Sequence, residues 1–246
     1  MEICAFIPAR FSSSRLPGKP LEDINGKPMI QWVYERASEA KNLKQVVIAT
    51  DDERIAEAVE KFGGRYVMTA RDHQSGTDRI AEAAKDIEAD IIVNLQGDEP
   101  LIEHQVIDEA VQPLIDDPEI VMSTVKTRIT LKEELTDPNT VKVVTDNNDF
   151  ALYFSRSQIP YSFDTGKEDA QTSFKHIGLY VYRRDFLFEY AAMEISSLEK
   201  SERLEQLRAL QNGYKIKVVE TNYNAIAVDT PEDLEKVRSI FKSGIV

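Results

Sequence analysis

The chain has 246 residues, 42% of them hydrophobic and 30% charged, which is enough to bury a large core in an ordinary globular protein. A formal net charge of −13 argues against nucleic acid or an anionic membrane as a general partner, because either would be repelled away from local cations. The single cysteine, Cys4, excludes an intrachain disulfide; with no signal-like start and no apolar run of membrane length, a soluble cytoplasmic protein is expected.

Residues 3–7 read as an apolar strand that Pro8 stops. The polar loop that follows carries Arg10, Arg15 and Lys19, with Ser12, Ser13, Ser14 and Gly18 between them. Three cations on a small-residue loop directly after a first strand, in an acidic chain, suit the triphosphate of a nucleotide, although a solvated basic loop has the same composition. The loop lacks the spacing of a Walker motif, so its grip would come from separated side chains and not from one compact nest. A turn at Asn25-Gly26 then leads to a helix over 29–40, where Ile30, Val33, Tyr34 and Ala37 share a face.

Further on, a strand is expected over 45–50, then a helix with Ile55, Ala58, Val59 and Phe62 on one side, closed by Gly63-Gly64. Residues 66–68 make a third strand, Ser75 opens a helix running to about Ile87, and 90–95 make a fourth strand. Strands and helices in alternation, with near-continuous apolar strands, predict a largely parallel sheet with helices on both faces, whose ligand lies beyond the carboxyl ends of the strands. The second half reads as mixed strands (119–128, 140–145, 150–154, 176–182), a polar loop over 162–172, helices over 184–192 and 199–211, and a strand over 215–220. Leu234, Val237 and Phe241 mark a last helix. The expected organisation is one domain with a nucleotide-binding part over about 1–118, a mixed-sheet dimerisation part over about 119–225, and a return to the main sheet over about 226–246.

Four groups of residues are candidates for chemistry. Asp98, in Gln96-Gly97-Asp98-Glu99-Pro100 after the fourth strand, is placed to hold a divalent cation against a triphosphate, though the same residues are ordinary turn formers. Thr230, Pro231 and Asp233 are explained as a helix cap; that leaves Asp229 as a second carboxylate. Arg156, His176 and Tyr180 suit an acidic, hydroxyl-rich molecule, with a structural His and a surface Arg as the plainer alternative. In Leu204-Glu205-Gln206-Leu207-Arg208 the leucines face a core, so Glu205 and Gln206 point either to solvent or to a sugar.

Taken together these blocks resemble one family in order and over nearly the whole chain. Ile7-Pro8-Ala9-Arg10, Arg15-Leu16-Pro17-Gly18-Lys19, Asp72-His73-Gln74-Ser75-Gly76-Thr77-Asp78-Arg79, Gln96-Gly97-Asp98-Glu99-Pro100 and Val141-Lys142-Val143-Val144 are similar to those of the CMP-Kdo synthetases, the 3-deoxy-manno-octulosonate cytidylyltransferases. Tyr153-Phe154-Ser155-Arg156, Lys175-His176-Ile177-Gly178, the Leu204–Arg208 block and Val228-Asp229-Thr230-Pro231 continue the likeness.

The resemblance implies a Rossmann-like nucleotidyltransferase fold and the reaction CTP + Kdo → CMP-Kdo + pyrophosphate, with Mg²⁺, in a cytoplasmic homodimer serving lipopolysaccharide synthesis. It implies that Pro8, Ala9, Arg10, Arg15, Lys19, Ser75, Gly76, Arg79 and Gln96 bind the nucleotide, with Lys19, Asp98 and Asp229 catalytic. Asp98 and Asp229 would be the metal ligands, and Arg156, His176, Tyr180, Glu205 and Gln206 would surround the sugar. Ala227, where many members have glycine, and the 162–172 loop depart from the common pattern and bring the 8-amino analogue of Kdo into view as an alternative acceptor. The rival classes are a nucleotidyltransferase acting on sialic acid or a sugar phosphate, which the Tyr153–Arg156 and Leu204–Arg208 blocks disfavour, and a non-catalytic nucleotide-binding regulator, which Asp98 and Asp229 together disfavour.

Overall fold

A computed structural model describes residues 1–12, 16–161 and 173–244. In chain order it contains β1 (Ile3–Ala9), β2 (Asp23–Ile24), β3 (Lys27–Pro28), α1 (Met29–Ser38), β4 (Gln45–Thr50), α2 (Glu53–Lys61), β5 (Tyr66–Met68), α3 (Gly76–Ala83) and β6 (Ile91–Asn94). Then come α4 (His104–Asp116), β7 (Met122–Arg128), α5 (Glu133–Thr136), β8 (Lys142–Thr145), β9 (Ala151–Ser155), β10 (Phe174–Arg183), α6 (Arg184–Ala192), α7 (Ser197–Glu202), α8 (Leu207–Gln211), β11 (Lys217–Glu220) and α9 (Pro231–Ser243). This is the α/β class that the alternating pattern predicts. Two compact units divide the chain, one made of residues 1–108 and 225–246, the other of 109–224.

In the first unit β6, β1, β4 and β5 lie side by side, all parallel, with Cys4 of β1 opposite Ile92 on one side and Gln45 on the other. Phe6, Ile7, Ile48, Ile92 and Val93 are wholly or almost wholly buried, which is why these strands read as unbroken apolar runs. Asn25 and Gly26, both at positive φ, turn the β2–β3 hairpin as expected. Residues 222–229 form no strand: Val228 N donates to Asp98 O at 2.8 Å and α9 follows, so the return to the main sheet expected over about 226–246 is made without a strand.

In the second unit β7 pairs in parallel with β11 and antiparallel with β10, and β8 joins β10 to β9 in antiparallel fashion, a mixed sheet as predicted. α4, which the sequence pattern left unassigned, carries Val106, Ile107, Ala110, Val111 and Leu114 as a buried helical stripe; Pro113 within it obscures the pattern. The helix expected over 199–211 is two helices. Arg203 sits in the left-handed region at φ 53°, a conformation costing a non-glycine residue roughly 1–2 kcal/mol, and it breaks the run between α7 and α8. Among the described residues no helix is long and apolar enough to cross a membrane.

Candidate active site

The carboxyl ends of β1 and β6 open onto a cavity of about 340 Å³ in the first unit. Pro8, Ala9 and Arg10 leave β1 along one wall, while Gln96, Gly97 and Asp98 leave β6 along another. The two turns touch: a Cβ on Gly97 would lie 3.2 Å from Pro8 O, so any side chain there would push the strand ends apart. Gly18, at φ 76° and with Phe11 O accepting its N–H at 2.9 Å, closes the base of the basic loop and feeds a short 3₁₀ turn at Lys19–Leu21. That turn aims Lys19 inward.

Lys19 is the centre of the charge arrangement. Its Nζ donates to Asp98 Oδ2 at 2.8 Å, to Val228 O at 2.8 Å and to Asp229 Oδ1 at 3.2 Å. Asp98 and Asp229, 131 positions apart in sequence by the difference of their numbers, thus meet on one cation, as the expected metal role requires. Asp229 is steadied by the cap of α9, since its N–H donates to Asp233 Oδ2 at 3.1 Å and Asp233 in turn closes a capping box with Thr230. Two carboxylates and a carbonyl around a single positive charge form an all-oxygen donor set, which fits Mg²⁺. Among the described residues no three His, Cys, Asp or Glu groups converge.

The α3 side of the cavity is arranged for shape. Ser75 is the N-cap of α3, its hydroxyl accepting from Asp78 N and its N–H donating to Asp78 Oδ2, both at 3.1 Å, and Gly76 follows as the first helical residue. Arg79 is 4% exposed; its Nη1 donates to Thr69 Oγ1 at 2.6 Å and lies 3.3 Å from Asp51 Oδ1, so its charge is already matched where it lines the cavity. Gln96 Nε2 donates to Asn94 Oδ1 at 3.3 Å. His73 and Gln74, quoted in the motif but given no role there, line the cavity too. The His73 ring meets Glu82, whose carboxyl is held below its usual range first by that bond and whose oxygens also accept from Ala70 N at 3.1 and 3.3 Å. Arg10 lines the cavity as expected, whereas Arg15 lies outside the described residues.

The sugar-side candidates all belong to the second unit. His176 and Tyr180 are four apart on β10, a separation of about 13 Å on a regular strand. Their rings are 5.3 Å apart instead, because the β10–β7 ladder slips between Ile177 and Tyr180 and a bulge at Gly178-Leu179 gathers the two side chains. The ring of Phe154 meets His176 edge-on at 5.0 Å. Burial keeps His176 neutral, its pKa pushed down to about 3. Thr124 Oγ1 lies 2.7 Å from Leu179 O, which takes its one proton, and 2.8 Å from His176 Nε2, so Nε2–H donates to the hydroxyl and Nδ1 keeps the lone pair. Tyr180 is pushed well up by burial, and then by the Glu205 carboxylate nearby.

Gln206 is 2% exposed, and its Nε2 is buried with no hydrogen-bond partner among the described residues. Helical spacing left its direction open between solvent and sugar, and the break at Arg203 turns it inward. A buried, unsatisfied amide is the kind of group a ligand completes. Arg156 is engaged with the backbone: Nε donates to Glu202 O and Nη1 to Pro138 O, both at 2.7 Å, and Nη2 to Arg203 O at 3.3 Å. The 162–172 loop lies outside the described residues.

Residues 4–216 match the family model described as cytidylyltransferase. The 3-deoxy-manno-octulosonate cytidylyltransferase of Geobacter sulfurreducens is 57% identical over 245 residues, covering 96% of this chain and 98% of that protein. The protein of the same name from Pelobacter propionicus is 56% identical, covering 99% and 98%. Among solved structures, CMP:2-keto-3-deoxy-manno-octonic acid synthetase complexed with CTP aligns with a TM-score of 0.93 and 46% identity, over 99% of this chain and 100% of that one. A cytidylyltransferase from Leptospira borgpetersenii shares the fold alone, with a TM-score of 0.66 and 19% identity over 99% and 87% of the two chains.

Proposed function

The chain belongs to the 3-deoxy-manno-octulosonate cytidylyltransferase family, and on that footing we propose that it transfers CMP from CTP to the anomeric hydroxyl of Kdo and releases pyrophosphate. The observation that carries this reading is the meeting of Asp98, Asp229 and Lys19 in a cavity bounded by the Pro8–Arg10 peptide, in a chain whose likeness to Kdo cytidylyltransferases covers nearly its whole length. The reading extends to a Mg²⁺-dependent homodimer working in the cytoplasm, with its product destined for lipopolysaccharide.

Chemically, the anomeric hydroxyl attacks the α-phosphorus in line with the departing pyrophosphate, and the protein supplies position and charge. Arg10, Arg15 and Lys19 are the cations assigned to the triphosphate, and the main chain of Pro8 and Ala9, with Ser75, Gly76, Arg79 and Gln96, shapes the seat for the nucleoside. Asp98 and Asp229 would hold Mg²⁺, which when bound lowers the pKa of the attacking hydroxyl and offsets phosphate charge. Lys19 bonds to those same carboxylates, so a triphosphate offers its ammonium new anionic partners at the moment the carboxylates are needed elsewhere. On the sugar side, neutral His176 and protonated Tyr180 read hydroxyls, and Gln206 gains the partner it lacks; none of them is called on as a base.

Pyrophosphate release from CTP or UTP, with Kdo, 8-amino-Kdo or a sialic acid as acceptor, tests the reading. CTP with Kdo is expected to give the highest kcat/KM. Faster turnover of the 8-amino sugar would reassign the acceptor, and no turnover with any pair would end the proposal.

A further inference from the structure

Lys142, on β8, is fully buried, with a charge that neither the nucleotide cavity nor the sugar-side residues use. Its Nζ donates to three backbone carbonyls: Thr140 O and Arg156 O at 2.6 Å and Asp137 O at 2.9 Å. The ammonium therefore ties the 137–140 turn to the end of β9. From that end Arg156 reaches in two directions. One arm of its guanidinium returns to the same turn through Pro138 O, and the other two N–H groups reach Glu202 O and Arg203 O, where α7 stops. The Glu202 carboxylate closes the loop by accepting from Ser155 Oγ at 2.7 Å and Arg156 N at 2.9 Å. Immediately after this junction come Glu205, whose carbonyl accepts from Tyr190 OH at 2.6 Å, and the buried amide of Gln206.

We propose that Lys142 and Arg156 are positioning residues for the acceptor face: together they hold the turn, the end of β9 and the left-handed junction at Arg203 in the one arrangement that presents Glu205 and Gln206. The proposal rests on the reading of Glu205 and Gln206 as acceptor contacts, and it gives Arg156 a part different from a direct clamp on the sugar carboxylate. Carbonyl oxygens account for three of the five guanidinium N–H groups. Lys142 also explains itself poorly as packing. Burial pushes its pKa below the ordinary lysine value, with Asp137 opposing, so a charge is kept where a methionine of similar length would fill the space without that cost. What a methionine cannot do is satisfy three carbonyls from the turn and the end of β9 at once.

The test compares wild type, Lys142→Met, Arg156→Lys and Gln206→Ala for KM of Kdo, KM of CTP, and melting temperature. Lys142→Met and Arg156→Lys are each expected to raise the KM for Kdo about tenfold or more, with the KM for CTP held within twofold. If Lys142→Met does not fold, Arg156→Lys carries the test alone. An unchanged KM for Kdo, or equal rises for both substrates, overturns the positioning role. The methyl ester of Kdo, used as a competitive inhibitor, separates positioning from direct contact. Equal weakening of acid and ester in Arg156→Lys supports positioning, and a loss confined to the acid assigns Arg156 to the carboxylate and overturns the proposal. Failure of the underlying reading shows differently: wild type would not turn over Kdo, or Gln206→Ala would leave its KM unmoved.

Discussion

Lys19 finds all its ammonium partners within the protein, on two carboxylates and one carbonyl, which makes the charge of Asp98 and Asp229 tolerable before any ligand arrives. Asp98→Asn keeps the shape and removes the charge, so it is expected to fold normally and lose roughly 10²–10³ in kcat, the range seen when one electrostatic partner of a transition state is deleted. Pyrophosphate release beside a melting curve checks it, and near-native kcat would remove Asp98 from the chemistry. His176 gives a second expectation. Its folded pKa of about 3 lies below the unfolded value of 6.5, so it is neutral throughout the physiological range. Its contribution to stability is full above pH 6.5 and is lost as pH falls toward about 3. The KM for Kdo should accordingly show no step near pH 6.5 that belongs to His176; such a step, absent in His176→Gln, would contradict the buried neutral ring. Lys19, Asp98 and Arg10 were legible in the sequence because each follows a strand that ends at the same edge of the sheet. The inward turn of Gln206 was not, since it depends on a left-handed arginine that no residue type announces.

At the level of elements, one cap has two jobs. Thr230 and Asp233 start α9, and the same Asp233 oxygen takes the N–H of Asp229. Thr230→Ala is expected to cost about 1 kcal/mol, or roughly 2–4 °C in melting temperature for a chain of this size, and to weaken Mn²⁺ binding measured with CTP present. A loss of stability with unchanged Mn²⁺ affinity would separate the two jobs. Burial alone pushes the Asp233 carboxyl up, but bonds from the Thr230 hydroxyl and from the amides of Asp229 and Thr230 outweigh it and hold the group below its ordinary 3.8. This stabilisation is present above pH 3.8 and is lost as pH falls through the lower folded value, so acid unfolding of Asp233→Asn should be less steep in that window. The cap was readable from its four residues because the bonds are local. The β10 bulge was not, although Gly178 inside a strand hints at one, because a bulge is defined by the strand opposite it. The α7–α8 break escaped for a similar reason: helical periodicity continues across it, and what holds it open comes from Arg156, some fifty residues away.

Across the whole molecule, the α/β class and the largely parallel sheet were legible in the alternation of helices with apolar strands such as β1, β4 and β6, which are buried on both faces, whereas the order of the strands was not. The return of the chain to the first unit was expected over about 226–246; what the sequence did not show is that 222–229, despite Tyr223, Ala225, Ile226, Ala227 and Val228, makes that return without forming a strand. Because Lys19 already offsets the carboxylates, chelation with EDTA is expected to abolish turnover while leaving the melting temperature unchanged, unlike a structural zinc site, whose metal is part of the folding free energy. A large fall in melting temperature on chelation would show a resident structural ion. The discontinuity of the first unit also has a consequence for how the protein is made. Synthesis runs from the amino end, so a chain grown through Asn224 holds all of the second unit and most of the first, yet lacks Val228, Asp229 and α9. Lys19 then has Asp98 alone for company. The paired carboxylates come into being only after residues 225–229 have followed the second unit out, so a chain ended at Asn224 holds Asp98 without its partner however well its earlier parts have folded.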